Sequence, residues 1–491
     1  MKGSGGNVPE APVLAPGDRI LPCEPGIDDT IHALMEGLTD SPVRLAQSPA
    51  EIATRFRTDL PYGGAPLPEV IGEIREASLA NRRKNAHPGM YAYVAAPGLP
   101  TDPVGHAMVA ALNQNVTGFR SAPAMTMIER IVIGWLAELA GMPKESDGLL
   151  LSGGSWSNLS ALAVAVHSKL GSQSLEEGLA RGPQPVILAA QSVHFSIQRA
   201  AKVLGIGTAN VVPVALDPHH RMDVGDLRAK LAEIAAAPDR LACAVVATAG
   251  TTGVGAVDPL PEIAAACREA GVWMHVDAAY GGAALLAEEL RGHLAGIGEA
   301  DSITLDLHKW AYLAFDASAL LLREPDKARR IFGFEADYVQ PTDHQRPEDH
   351  VFYEFSPDLS RRARALPVYL AWRHYGIARL GRNISHNAAC VRYLAELIDG
   401  APDMDLVSRS DLSIASFRYS PPAMAGDDAG IDRLNEAIVE RLDGSGDFTV
   451  SPLLVCSRPV IRVCVCSYAT TAWHMRELVE TVRKIGKERA A

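Results

Sequence analysis

The sequence predicts an α/β protein: a mostly parallel seven-stranded sheet with helices on both faces, a small C-terminal α+β domain and an N-terminal helical arm. Three observations carry this. Short apolar, partly β-branched runs alternate with helical patterns between residues 149 and 322, and such alternation implies a parallel, doubly covered sheet. From about residue 377 the alternation gives way to a mixture of helices and strands. The length, 491 residues, exceeds what one simple core accommodates.

The elements come in this order. Residues 1 to about 30, rich in Gly and Pro, read as an irregular arm. Val70, Ile74 and Ala77 at helical spacing predict a helix over 67–83, with Arg82, Arg83 and Lys84 closing it on the favourable side of its dipole. The aromatic loop from His87 to Tyr93 comes next, and Ile131, Val132, Trp135, Leu136 and Leu139 mark a further helix face. Strands are expected at 149–151, 186–189, 210–214, 241–248, 273–276, 302–305 and 318–322, and helices at 158–170, 196–204 and 260–270. In the C-terminal part, helices are expected at 368–375, 383–397, 431–442 and 472–487, with strands at 412–419, 448–454 and 460–466. The expected division is 1–98, 99–376 and 377–491.

Composition excludes several classes of function. With 47% hydrophobic and 21% charged residues the chain is not a disordered one. A net charge of -12 speaks against nucleic acid or an anionic membrane as partner. No apolar run reaches the roughly 18 residues of a membrane span, and the first residues lack the apolar core of a secretory signal. Seven cysteines, an odd number in a long chain, argue against a disulfide framework. Cys464 and Cys466 would share a face of a strand; without a second ligand pair they read as buried thiols, and no metal site is expected. Cytoplasmic residence is the resulting expectation.

Chemistry concentrates after the strands. Asp306-Leu307-His308-Lys309-Trp310 follows the strand at 302–305, where open α/β sheets bind ligands. A lysine there, desolvated in an apolar pocket, can form a Schiff base; alone, it reads rather as a surface lysine at a strand end. Asp277, in His275-Val276-Asp277-Ala278-Ala279-Tyr280, could stay ionised beside a cationic ring nitrogen, or serve as a turn aspartate. Gly153-Gly154-Ser155 opens a helix as an anion-binding turn would. Gly250-Thr251-Thr252-Gly253 adds hydroxyls, and His194 adds a protonatable ring. Together these are the parts that pyridoxal phosphate requires.

These segments, with His87-Pro88, Ala92-Tyr93 and Ala247-Thr248-Ala249 in the same order, resemble the group II pyridoxal-phosphate-dependent amino-acid decarboxylases, most of all their aromatic-L-amino-acid branch. The resemblance implies a fold-type I (aspartate-aminotransferase-like) homodimer whose active sites are shared between subunits, the segment 1–98 packing on the partner. It implies Lys309 as covalent anchor of pyridoxal 5'-phosphate, Asp277 at the ring nitrogen, His194 stacked on the ring, and Ala279 on the opposite face. Gly154, Ser155, Asp306 and His308 would surround the phosphate, with Thr252 near the ring. Tyr338 matches the family's catalytic tyrosine, where aldehyde-forming relatives carry phenylalanine. Tyr93, Val94, Ala95 and Ala96, with Thr117 and Phe119 of the partner segment, would form the substrate pocket. Val94 and Ala95 are smaller than the family pattern, and Arg120 is an unexpected charge whose direction decides its meaning. An aromatic amino acid leads as substrate. Acidic or other amino acids, aldehyde synthase or carbon–carbon lyase chemistry, and a non-catalytic binding protein are the alternatives.

Overall fold

The structure, a computed structural model, describes residues 27–44, 47–56, 59–333 and 350–490. It divides into two compact units: 101–385 with 410–412, and 1–100 with 386–409 and 413–491.

The larger unit holds the seven-stranded sheet. Its strands are β1 (Asp147–Leu151), β2 (Gln184–Ala190), β3 (Val211–Val214), β4 (Arg240–Thr248), β5 (Trp273–Asp277), β6 (Ser302–Asp306) and β7 (Ser318–Leu322). Their order across the sheet is β1-β7-β6-β5-β4-β2-β3. All neighbours pair in parallel except β7, which runs antiparallel to both β1 and β6. Every residue of β5, β6 and β7 is buried, as expected for strands covered on both faces. The helix Gly154–Leu170 packs across β4 to β7, while Val224–Ala236 and Leu260–Ala270 pack on β4 and β5.

A buried ion pair holds β1. The Arg361 guanidinium meets the Glu129 carboxylate with both side chains fully buried. Glu129 Oε1 also accepts from Leu150 N (2.8 Å), and Arg361 donates to Leu150 O (2.9 Å) and Val116 O (2.8 Å). Such extra hydrogen bonds offset part of the cost of burying the pair.

Several boundaries differ from expectation for local reasons. The helix expected from residue 158 begins at Gly154, because the Gly-Gly-Ser turn is its first turn. The N-terminal helix stops at Ala80: Asn81 leaves the helical region and its Nδ2 donates back to Ala77 O (3.2 Å). Arg82 and Lys84 then reach the Leu34 and Asp40 carbonyls (2.8 and 2.7 Å) instead of the helix end. The residues expected as irregular up to about 30 include a helix, Ile27–Met35. The helix Asp102–Leu112 carried no clear signal, and Ile377–Asp399 is one helix longer than the expected 383–397.

The smaller unit contains an antiparallel sheet of β8 (Met404–Arg409), β9 (Ile414–Tyr419), β10 (Ser451–Val455) and β11 (Arg458–Cys464), ordered β10-β11-β9-β8. Its helices Asp428–Ser445 and Ala472–Ala490 pack against it. Cys464 and Cys466 are buried free thiols with their sulfurs 3.5 Å apart. No helix among the described residues is long and apolar enough to cross a membrane.

Candidate active site

Because β7 reverses the direction, β1 runs the same way as β2, β4, β5 and β6, and the carboxyl ends of these five strands share one edge. Each end carries chemistry-bearing residues into a cavity of about 570 Å³. Lys309, Asp306 and His308 come from β6, Asp277 and Ala279 from β5, and Thr252 from the turn after β4. His194 follows β2, and Gly154 and Ser155 follow β1.

After β6 the chain turns sharply, with Lys309 N donating to Asp306 O (3.1 Å). This places Lys309 Nζ 2.9 Å from Asp306 Oδ2, with the lysine side chain 26% exposed and the aspartate 3%. His308 Nδ1 accepts from Ala317 N (3.1 Å), so its proton belongs on Nε2, which lies 3.8 Å from the same carboxylate. Burial lowers the His308 pKa, with Asp306 opposing.

Asp277 is held from two sides. Its Oδ2 accepts from Asn158 Nδ2 (2.9 Å) and its Oδ1 from Ala279 N (3.1 Å). Both carboxylate oxygens thus have an acceptor's role and a fixed direction. His194 sits in the loop between β2 and the helix Ser196–Val203, with Nδ1 2.9 Å from Ser196 Oγ. Burial lowers its pKa; Asp277 and Asp306 oppose this, while Lys309 and Arg199 reinforce it.

The turn after β4 is built tightly. Gly250 has φ +97°, and a Cβ there would lie 2.8 Å from Tyr280 Cδ1, so this left-handed position admits glycine alone. Asp258, buried beneath the turn, accepts from Thr248 N and Met222 N (both 2.7 Å), and burial pushes its pKa up to about 6.

The remaining expected residues stand elsewhere. Thr117 and Phe119 belong to the larger unit but not to the cavity wall: Thr117 Oγ1 is 2.8 Å from Ser121 Oγ, and Phe119 N donates to His350 O (2.9 Å). Tyr93, Val94, Ala95 and Ala96 belong to the smaller unit. There Tyr93 N donates to Ser451 Oγ (2.8 Å), the Arg83 guanidinium lies 4.7 Å from the Tyr93 ring centre, and Ala95 and Ala96 are buried. Arg120 is exposed, and Tyr338 lies outside the described residues. Asn158, Ser196 and Arg199, not singled out in the sequence, also line the cavity. Asn158 comes four residues after Gly154, and the helical repeat alone puts it on the same face.

The residues present suit pyridoxal phosphate. A Cβ at Gly154 would lie 2.8 Å from Asp306 Oδ2 and 3.2 Å from Ala279 Cβ, so the missing side chain keeps space beside the helix N-terminus, where unpaired amides attract an anion. An amine, a fixed carboxylate and a half-buried imidazole share the same walls. A fold-type I sheet with this lysine and aspartate at its carboxyl edge defines a pyridoxal-phosphate-dependent enzyme. The chain belongs to the pyridoxal-dependent decarboxylases: the model of the pyridoxal-dependent decarboxylase conserved domain matches residues 49–420. It is 29% identical over 460 residues to the aromatic-L-amino-acid decarboxylase of Bacillus atrophaeus, covering 94% of each chain. It is 33% identical over 360 residues to the L-2,4-diaminobutyrate decarboxylase of Rhizobium meliloti (strain 1021), covering 73% of this chain and 70% of the relative. The solved structure of Oryza sativa TDC with PLP and tryptamine shares its fold with a TM-score of 0.88 at 24% identity, covering 96% of this chain and 99% of that one. The protein is thus a pyridoxal-phosphate-dependent amino-acid decarboxylase.

Proposed function

We propose that the protein decarboxylates an aromatic L-amino acid to the corresponding amine and carbon dioxide. One observation favours this substrate class: matched through 94% of this chain, the Bacillus atrophaeus aromatic-L-amino-acid decarboxylase is 29% identical, against 26% for the L-2,4-diaminobutyrate decarboxylase of Acinetobacter baumannii over the same share. When bound, the cofactor supplies an electron sink for the pair left by the departing carboxylate. The chain's own residues do the rest. Lys309 would anchor the cofactor, Asp277 would keep its ring nitrogen protonated, and His194 and Ala279 would flank the ring. Ser155 and His308, with the Gly154 amide, would hold the phosphate, and Thr252 would border the ring. Asp306 stands beside the Lys309 nitrogen rather than on the phosphate, since a carboxylate repels a phosphate.

Tyr338 is assigned the proton that the substrate α-carbon gains once carbon dioxide has left. Tyr338→Phe is expected to turn product from amine toward aldehyde, with oxygen consumed; an oxygen electrode and carbonyl analysis read both, and unchanged amine output refutes the assignment.

A second reading, an acidic substrate, is favoured by Arg199, an exposed cation on the cavity wall whose guanidinium lies 5.1 Å from the Phe195 ring centre. A panel of amino acids, hydroxylated aromatics and 2,4-diaminobutyrate, scored for carbon dioxide and amine, decides. Turnover confined to aromatics supports the proposal, and faster turnover of an acidic or diamino substrate replaces it.

Homodimerisation belongs to the same proposal. The helix Leu67–Ala80 leaves Leu67, Val70 and Ile74 exposed at 65%, 38% and 51%, an apolar face that a partner chain would cover. Sedimentation of the holoenzyme is expected to give a dimer; an active monomer removes the shared site. Cytoplasmic action fits the free cysteines among the described residues, and fractionation of cells tests it.

A further inference from the structure

Behind Asp277 lies a buried hydrogen-bond chain that none of the roles above employs. Trp273 Nε1 donates to Ser302 Oγ (2.8 Å), which lies 2.8 Å from His275 Nδ1. His275 Nε2 is 3.0 Å from Asn158 Oδ1. Asn158 Nδ2 reaches both Asp277 Oδ2 (2.9 Å) and Ser196 Oγ (3.0 Å), and Ser196 Oγ is 2.9 Å from His194 Nδ1. Asn158, Ser196, His275 and Ser302 are all at most 1% exposed, so each polar atom depends on these partners.

The carboxylate end gives this chain one direction, and the indole end is compatible with it. An ionised carboxylate only accepts, and an indole N–H only donates. Asn158 must therefore turn its NH2 toward Asp277, which leaves its oxygen to accept from His275 Nε2–H. Burial brings the His275 pKa down to about 4, against the opposing influence of Asp277 and the Ser302 backbone. The ring is thus neutral at neutral pH, and its Nδ1 accepts from the Ser302 hydroxyl. The Ser302 oxygen is then available for the Trp273 N–H. The tryptophan end is compatible with the orientation that the carboxylate end sets, since the Ser302 oxygen accepts from Trp273 while its hydrogen goes to His275.

The second Asn158 hydrogen goes to Ser196 Oγ, which frees the Ser196 hydroxyl hydrogen for His194 Nδ1. The Ser196 backbone N–H points at the same nitrogen (3.3 Å). His194 Nδ1 is an acceptor on both counts, and the neutral ring carries its proton on Nε2.

We propose that Asn158 is a positioning residue that couples Asp277 to the tautomer of His194, its amide orientation set from behind by His275, Ser302 and Trp273. One amide group serves both sides of the cofactor site. It holds the carboxylate that answers the ring nitrogen, and it makes the unclaimed nitrogen of His194 a donor. This inference rests on the roles proposed for Asp277 and His194, but its test is independent of turnover.

Nitrogen-15 NMR of histidine-labelled holoenzyme reads the tautomer and pKa of His194. The groups that act on that ring are Asp277 and Asp306, which favour its protonation, and Lys309 and Arg199, which oppose it. The wild-type ring is expected as the neutral Nε2–H form at neutral pH. In Asn158→Leu, a change of similar volume, the Ser196 hydroxyl is no longer oriented by the amide and is freer to turn and accept from His194 Nδ1–H. The His194 pKa is then expected to rise by about half a unit to one unit, with Nδ1–H form appearing. Ser196→Ala removes the hydroxyl donor directly and is expected to move the pKa the same way, which keeps the test open should Asn158→Leu fold poorly. A merely structural Asn158 would lower the melting temperature and leave the His194 resonances in place. That result, or a wild-type ring protonated on Nδ1, overturns the proposal. A substrate panel that rejects aromatic amino acids would revise the function and leave this result standing.

Discussion

Lys309→Ala is expected to purify without the visible absorption of a covalently held cofactor, and to lose decarboxylation by about three orders of magnitude or more. The amine is positioned by a turn whose backbone bond joins Lys309 N to Asp306 O, and its Nζ lies 2.9 Å from a nearly buried carboxylate. Removing it takes away the anchor and also leaves Asp306 without its cation, so the unfolding midpoint should fall as well. Borohydride reduction of the wild-type holoenzyme followed by peptide mass mapping provides the positive control. A cofactor mass on the peptide containing Lys309 is the expected result; a mass on any other lysine, or a variant that keeps its colour, would overturn the assignment.

Asp277→Asn is expected to cost about 10²–10³ in kcat, the range seen when one preorganised electrostatic partner of developing charge is lost, with KM changed little. The substitution keeps shape and removes charge. It also sets donor against donor, because Asp277 Oδ2 accepts from Asn158 Nδ2 and Oδ1 accepts from Ala279 N. An asparagine can offer an oxygen to only one of them. One buried N–H then goes unsatisfied, at about 1–3 kcal/mol of stability. Steady-state kinetics and denaturant titration measure the two losses separately. A variant within a few-fold of wild type in kcat would show that Asp277 does not serve the ring nitrogen.

The large sheet was legible because its strands are buried on both faces and so read as continuous apolar runs closed by turns. β8 was not: its residues are mostly half-buried or exposed, which leaves no clean apolar run. The Gly153-Gly154-Ser155 turn concealed a helix start, since glycines suggest a loop by composition while serving here to open space beside Asp306. In the site, Lys309, Asp277 and His194 were legible because each stands at or just beyond the end of a strand, and parallel strands bring the residues at their carboxyl ends to one edge. Asn158 was not, because its partners Asp277 and His275 lie 119 and 117 residues away and nothing local marks an asparagine inside a helix as a bridge. The expected substrate pocket joins Tyr93 to Ala96, which belong to the other unit, to Thr117 and Phe119 of a partner chain, so no single strand edge marks it in the sequence.

The place of β7 has a bearing on how the enzyme is made. β1, which leads into Gly154 and Ser155, is hydrogen-bonded within the sheet to β7 alone, and β7 is the last of the seven strands in chain order. A ribosome must therefore deliver residues up to Leu322 before β1 gains its neighbour, and until then its edge is open to pairing with other chains. Biosynthesis completes the lysine end of the site and the anion end almost together, so a half-made chain has little with which to capture the vitamin.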